Sequence, residues 1–152
     1  MGGPSSEHEV SLKTGAMVLK NLDAQKFESF PVKIGKDGQW PVTLWELKEK
    51  TDAVFVALHG EYGEDGQLQT ILETFKIPYT GSDPIASALA MDKQATASFL
   101  LKSGLATPAS ILVAKNDPYA EWAIQKNFSV PLVVKPNNLG SSVGVSMVKN
   151  QS

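Results

Sequence analysis

Lys135 stands at the end of an apolar run, Pro131-Leu132-Val133-Val134, and is followed by Pro136 and then by Gly140-Ser141-Ser142-Val143-Gly144. This pattern suits the holding of phosphate. Backbone N–H groups of a small-residue loop can turn toward an anion without side chains in the way, and a lysine ammonium adds a full positive charge beside them. Val133 and Val134 favour a strand that Pro136 stops, and a second strand is expected over residues 143–148. The common phosphate loop, Gly-x-x-x-x-Gly-Lys-Ser/Thr, opens a helix; here the lysine precedes the glycines and a strand follows, so any nucleotide site is of another kind. A plain Gly/Ser hairpin with a lysine nearby is the alternative.

Three further residues could do chemistry. His59 follows the apolar run Ala53-Val54-Phe55-Val56-Ala57-Leu58 directly, at the C-terminal end of an expected buried parallel strand, where open parallel sheets place ligands. Glycines at 60, 63 and 66 allow the backbone after it to approach something closely. His59 could equally satisfy a loop carbonyl. Glu7 lies at the start of a helix, where a carboxylate either caps or binds. Lys93 also begins a helix, an unfavourable place for a cation unless an anionic ligand or solvent takes up its charge. Past Asp83 the only carboxylates are Asp92, Asp117 and Glu121, so no acidic cluster is visible to hold Mg²⁺ and no metal ligand is assigned.

These residues are spread over a chain of 152 residues, 42% hydrophobic, enough for one ordinary domain or two small ones. No apolar run nears the roughly 20 residues of a membrane helix, and the N-terminus has no basic-then-apolar signal pattern. Without cysteine there is no disulfide framework or thiolate metal site, which fits a cytoplasmic location. With net charge −2 and scattered lysines, binding of nucleic acid or a membrane surface is not expected. The sum of Lys and Arg is 14 and every one is lysine, so the chain has no guanidinium fork for a carboxylate or oxyanion.

The expected elements follow from periodicity and punctuation. Ser6-x-x-Glu9 has the form of a capping box ahead of a helix over residues 9–22. Residues 30–34 alternate as a short strand, residues 44–50 form a short helix, and residues 53–58 form the buried strand. A helix over 67–75 presents Leu68, Ile71, Leu72 and Phe75 on one face, and residues 77–80 form another strand. Turn formers at Gly81-Ser82-Asp83-Pro84 mark a boundary. Asp92 caps a helix over 93–103 with Gly104 at its end, residues 111–114 form a strand, and Asp117-Pro118 opens a helix to residue 128. Strand, helix, strand in this order predicts an α/β chain with a parallel sheet.

Five segments in order then resemble one family. Gly2-Gly3-Pro4-Ser5-Ser6-Glu7-His8-Glu9, Ala57-Leu58-His59-Gly60 through Gly63-Glu64-Asp65-Gly66, Pro78-Tyr79-Thr80-Gly81-Ser82, Ala88-Leu89-Ala90-Met91-Asp92-Lys93 and Val134-Lys135-Pro136 through Gly144 are similar to D-alanine–D-alanine ligases of the ATP-grasp superfamily. The resemblance implies a Rossmann-like pre-ATP-grasp domain with a parallel sheet over residues 1–83, and a truncated first ATP-grasp subdomain over 84–152. It implies joining of two D-alanines through an acyl-phosphate, with ATP and Mg²⁺, for peptidoglycan. By motif, Lys93 and Lys135 would contact ATP phosphates, Gly140, Ser141, Ser142, Val143 and Gly144 would cover the transferred phosphoryl group, and Glu7, His59 and Ser141 would surround the first D-alanine. The family carries a strand before Gly2 and about as much chain again past Ser152, so the chain is expected to be an N-terminal portion, inactive by itself, with metal ligands elsewhere and a homodimeric complete enzyme. A D-alanine–D-lactate or D-alanine–D-serine ligase, or a non-catalytic nucleotide-binding module, are the alternatives.

Overall fold

The computed structural model describes residues 1–150. Two compact units divide between Ala88 and Leu89. The division falls inside a helix, α4 (Pro84–Met91), and not at the Gly81–Pro84 turn. Asp83 Oδ1 accepts from Ala86 N at 2.8 Å, so Asp83-Pro84 is a helix start with Pro in the first turn.

In the first unit, α1 (His8–Asn21) buries Ser11 and Gly15. Ser11 is fully buried, and its hydroxyl is satisfied twice: it donates to Ala57 O at 2.6 Å and accepts from Gly2 N at 2.8 Å. The Ser6–Glu9 capping box does not form. The N-cap is Glu7, the Ser5 hydroxyl accepts from Glu7 N at 3.1 Å, and the Glu9 carboxylate pairs on the surface with Lys36 at 3.3 Å. The capping box lies instead at α2 (Leu44–Lys50), where Thr43 and Glu46 satisfy each other's backbone N–H groups. Helix α3 (Gln67–Thr74) drives Leu68 and Leu72, one turn apart, into a core with Ile34, Leu47, Leu58 and Ile77. Burial of each leucine contributes about 1.5–3 kcal/mol. Trp40 and Tyr62 pack against this core with their polar ends paired, Trp40 Nε1 donating to Tyr62 Oη at 2.9 Å.

The extended segments run parallel, as expected, but each ladder is a single bridge: Gly2 with Ile34, and Val54 with Tyr79. Residues 53–58 are therefore not a continuous strand covered on both faces, and Phe55 is exposed. Both backbone groups of Val54 are used toward Pro78 and Thr80, at 2.8 and 3.0 Å, so Phe55 turns its own to the opposite side. There an apolar groove of about 950 Å³, lined in part by Val18, Leu22, Val32, Phe55 and Ala57, separates the two pairs.

The second unit contains α5 (Lys93–Lys102), α6 (Ala120–Asn127) and an antiparallel pair, β1 (Leu132–Val134) and β2 (Ser146–Val148), with Val133 opposite Met147. Residues 111–114 are not a strand, because they have no ladder partner among the described residues. Asp117-Pro118 does not open α6. Asp117 Oδ1 takes Tyr119 N at 2.9 Å and Asp117 O takes Ala120 N at 3.2 Å, closing a turn that delays the helix by two residues. No helix of the described residues is long and apolar enough to cross a membrane.

Candidate active site

Chemistry-bearing residues gather at two places, one in each unit. In the first, Glu7 and His59 are drawn together by Ser5, which donates to His59 O at 2.7 Å while accepting from Glu7 N. The Glu7 carboxylate lies so close to Gly60 that a Cβ there would stand 3.0 Å from Oε1. The His59 ring is held at both nitrogens: Nε2 is 2.8 Å from Thr14 Oγ1, and Nδ1 is 3.6 Å from Glu64 Oε1, an ion-pair distance when the imidazole is charged. The other Glu64 oxygen accepts from Gly60 N at 2.9 Å. Two carboxylates thus flank Gly60, an arrangement that favours a cationic group such as an ammonium.

The loop carrying Glu64 is fixed by its own contacts. Gly63 folds back over the backbone at Leu58, where a Cβ would meet Leu58 Cβ at 2.4 Å, so no larger residue fits. Gln69 Nε2 donates to Gly63 O at 2.8 Å, and Asp65 accepts from Tyr62 N at 2.9 Å and Gln67 N at 3.1 Å. Ser5, Thr14 and Glu64 are site residues that the sequence reading missed. The signal was present for Thr14: Glu7, Ser11 and Thr14 are spaced four and three apart, which puts three polar side chains on one face of α1.

In the second unit, Lys135 follows β1 directly, is exposed, and has no hydrogen-bond or ion-pair partner among the described residues. The loop after it contains Ser141, Ser142 and Gly144 at φ of 48°, 60° and 71°. Left-handed backbone costs an L residue about 1–2 kcal/mol, so two serines in succession mark a shape the surrounding structure imposes. Val143 N donates to Gly140 O at 3.0 Å and Val145 N to Ser142 O at 3.2 Å, closing successive turns. A Cβ on Gly144 would stand 2.8 Å from Pro136 Cγ, so the loop doubles back on the proline that ends β1. Turns of this kind can gather backbone N–H groups around an anion.

Lys93 lies beside this loop. Its ammonium donates to Asn137 O at 3.0 Å and Leu139 O at 2.6 Å. A cation in the first turn of a helix is disfavoured by about 0.3–1 kcal/mol, whereas hydrogen bonds from a charged donor contribute about 1.5–3 kcal/mol each, so the carbonyls outweigh the helix dipole. An ammonium has three protons, which leaves one for another acceptor. Asp92 caps α5 by accepting from Ala95 N at 2.7 Å, and that bond, followed by the Asn137 amide, lowers its carboxyl below the usual aspartate value.

The donor set fits phosphate and does not fit Mg²⁺. Among the described residues no group of three or more His, Asp or Glu side chains could hold a metal ion.

The family model described as "D-ala D-ala ligase N-terminus" matches residues 1–51 and 41–82, and that described as "D-ala D-ala ligase C-terminus" matches 99–152. The chain is 43% identical to a D-alanine–D-alanine ligase of Pelotomaculum thermopropionicum over 157 aligned residues, covering 99% of this chain and 48% of that protein. It is 45% identical to that of Geobacter sulfurreducens, covering 99% and 46%. Among solved structures, VanG D-Ala:D-Ser ligase from Enterococcus faecalis superposes with a TM-score of 0.85 at 31% identity, over 99% of this chain and 54% of that one. The Bacillus anthracis D-alanine–D-alanine ligase complexed with ATP gives 0.79 at 39%, over 99% and 47%. The chain spans about half the length of the curated relatives it matches. Its matched segments include Glu7, His59, Lys135 and the loop over 140–144, with Lys93 lying between them, and the chain belongs to the D-alanine–D-alanine ligase family.

Proposed function

We propose that this chain serves the ATP-dependent ligation of two D-alanines to D-alanyl-D-alanine for peptidoglycan, in the cytoplasm and within a homodimeric enzyme. The observation that carries the reading is the pairing of Glu7 with the His59–Gly60 turn through Ser5, which offers carboxylates to an amino-acid ammonium in a chain of this family.

In this reading Glu7 accepts from the ammonium of the first D-alanine. His59, held between Thr14 and Glu64, shapes the same pocket. Lys135 and the loop of Gly140, Ser141, Ser142, Val143 and Gly144 cover the phosphates of ATP, with Val143 N closing the loop onto Gly140 O and the remaining proton of Lys93 joining them. A carboxylate oxygen of D-alanine attacks the γ-phosphorus, the bond to ADP breaks, and the acyl-phosphate forms. The amine of the second D-alanine then attacks the acyl carbon and phosphate leaves. Phosphoryl transfer needs positioning and charge neutralisation above all, and a lysine with oriented amides supplies both.

The test is a chimera in which this chain replaces the matching part of the Bacillus anthracis ligase, followed by D-alanine-dependent ADP release. Lys135→Ala is expected to raise the KM for ATP or lower turnover roughly tenfold to a hundredfold, the equivalent of losing a charge-assisted contact of about 1.5–3 kcal/mol. Unchanged ATP kinetics would reject the assignment.

A further inference from the structure

The phosphate loop does not hang from β1 alone. Immediately after Pro136, Asn137 is tied to the first turn of α5 by backbone and side chain together. Its carbonyl accepts from Lys93 N at 3.2 Å and from Lys93 Nζ at 3.0 Å, and its Oδ1 accepts from Gln94 N at 3.0 Å. Two residues on, Leu139 O accepts from Lys93 Nζ at 2.6 Å. The Asn137 amide also lies against the Asp92 carboxylate that caps the same helix. Two of the N–H groups that a helix start leaves without intrahelical partners are thereby satisfied by one loop residue. The Lys93 ammonium spans the next segment, so the chain is fixed on both sides of Asn138 just before Gly140.

We propose that Asn137 is a positioning residue for nucleotide phosphate: with Lys93 it clamps the entry of the loop onto α5, and so determines where the amides of Gly140 to Gly144 present themselves. The inference rests on the reading of that loop as a phosphate site and adds how the site is held. Asn137 itself contributes no charge and needs no contact with the ligand. Its two roles, carbonyl toward Lys93 and Oδ1 toward Gln94, fix both the position and the rotation of the peptide that leads into the loop. An alanine keeps the carbonyl and loses the Oδ1 anchor, freeing that rotation. The left-handed serines then lose the fixed end against which their strained backbone is held.

The experiment uses the full chain and backbone ¹⁵N relaxation. In the unaltered protein the amides of Gly140 to Gly144 are expected to have order parameters near the rigid value of about 0.85; in Asn137→Ala they should fall below about 0.6, while those of β1, β2 and the body of α5 stay unchanged. An unmoved loop overturns the proposal. So does a general loosening of the second unit, because Asn137 would then support the fold and not the loop in particular. The exchanged pair Asp92→Asn with Asn137→Asp keeps a cap acceptor at 92 and an Oδ acceptor at 137. It is expected to restore loop order, and failure to do so in a folded protein counts against the clamp. ATP titrated into the unaltered chain separates this from the phosphate reading. Loop amides that do not shift with ATP would remove that reading, while the relaxation result still decides whether Asn137 holds the loop.

Discussion

Ser5 shows how a neutral side chain can assemble a charged pocket. Its single hydroxyl donates to the carbonyl of His59 and accepts from the amide of Glu7, so the entry of α1 and the turn after Leu58 are joined across 54 residues of sequence. Glu7 is the N-cap of α1, so the helix start fixes the backbone from which its carboxylate reaches Gly60. In the chimera, Glu7→Gln is expected to raise the KM for D-alanine by about tenfold or more, since an amide oxygen accepts from an ammonium without the charge-assisted part of the bond. ATP kinetics should change far less. D-Alanine kinetics equal to those of the unaltered chimera would remove Glu7 from the pocket.

At the scale of elements, every helix but α4 was legible and so was the β1–β2 hairpin, whereas the strands expected in the first unit were not borne out as ladders. Helix α2 matches the expected residues 44–50, and α1, α3 and α5 lie within a residue of expectation at each end, because their apolar spacing and capping signals are local. The run Ala53–Leu58 looked like a covered central strand because its composition is apolar throughout. What decides a strand is the partner, and there Val54 finds Tyr79 on one side while a groove lies on the other. The two Asp-Pro pairs make the same point in reverse. Asp83-Pro84, read as a boundary, opens α4, and Asp117-Pro118, read as a helix start, closes a turn. The candidate site was legible where a residue's own chemistry announced it, as at Lys135 and His59, and hidden where neutral residues do the holding, as at Ser5 and Asn137.

The cap of α5 gives this scale a pH dependence. Ala95 N, then the Asn137 side chain, holds the Asp92 carboxyl below its ordinary value of 3.8. Folding therefore favours the ionised form: the contribution is complete above the ordinary value and is lost as pH falls through the lowered one. Asp92→Asn keeps an acceptor at the N-cap without a titrating group. The difference in urea midpoint between the unaltered protein and Asp92→Asn, followed by Trp122 fluorescence, should be constant near neutrality and shrink toward zero or reverse as pH falls below the ordinary aspartate value of 3.8. A difference that does not change with pH would show that Asp92 acts at α5 without its charge.

For the whole molecule, the distribution of buried surface matters more than the number of elements. All the buried hydrophobic residues among those described, from Ile34 to Ile77, lie in the first unit, and the last buried residue among them is Ser87. The second unit has hydrogen-bonded helices and a hairpin, yet Leu101, Leu112, Trp122 and Met147 are all more than half exposed, at 58%, 61%, 61% and 63%. Hydrophobic burial is the dominant favourable term in folding, and hydrogen bonds exchanged with water add little net free energy each. The second unit is thus expected to be the less stable of the two and to unfold first. Trp122 reports on it, while Trp45, edge-on to Phe75 at 5.1 Å, reports on the first unit. In urea, Trp122→Phe, which leaves only first-unit tryptophans, should show a midpoint higher by about 1 M or more than Trp40→Phe/Trp45→Phe, which leaves Trp122 alone. With slopes of about 1–3 kcal/mol per molar, that gap corresponds to a difference of a few kcal/mol. Coincident midpoints and slopes in the two variants would mean that the chain unfolds as one cooperative body, and that the exposed apolar side chains of the second unit contribute stability by a route other than their own burial.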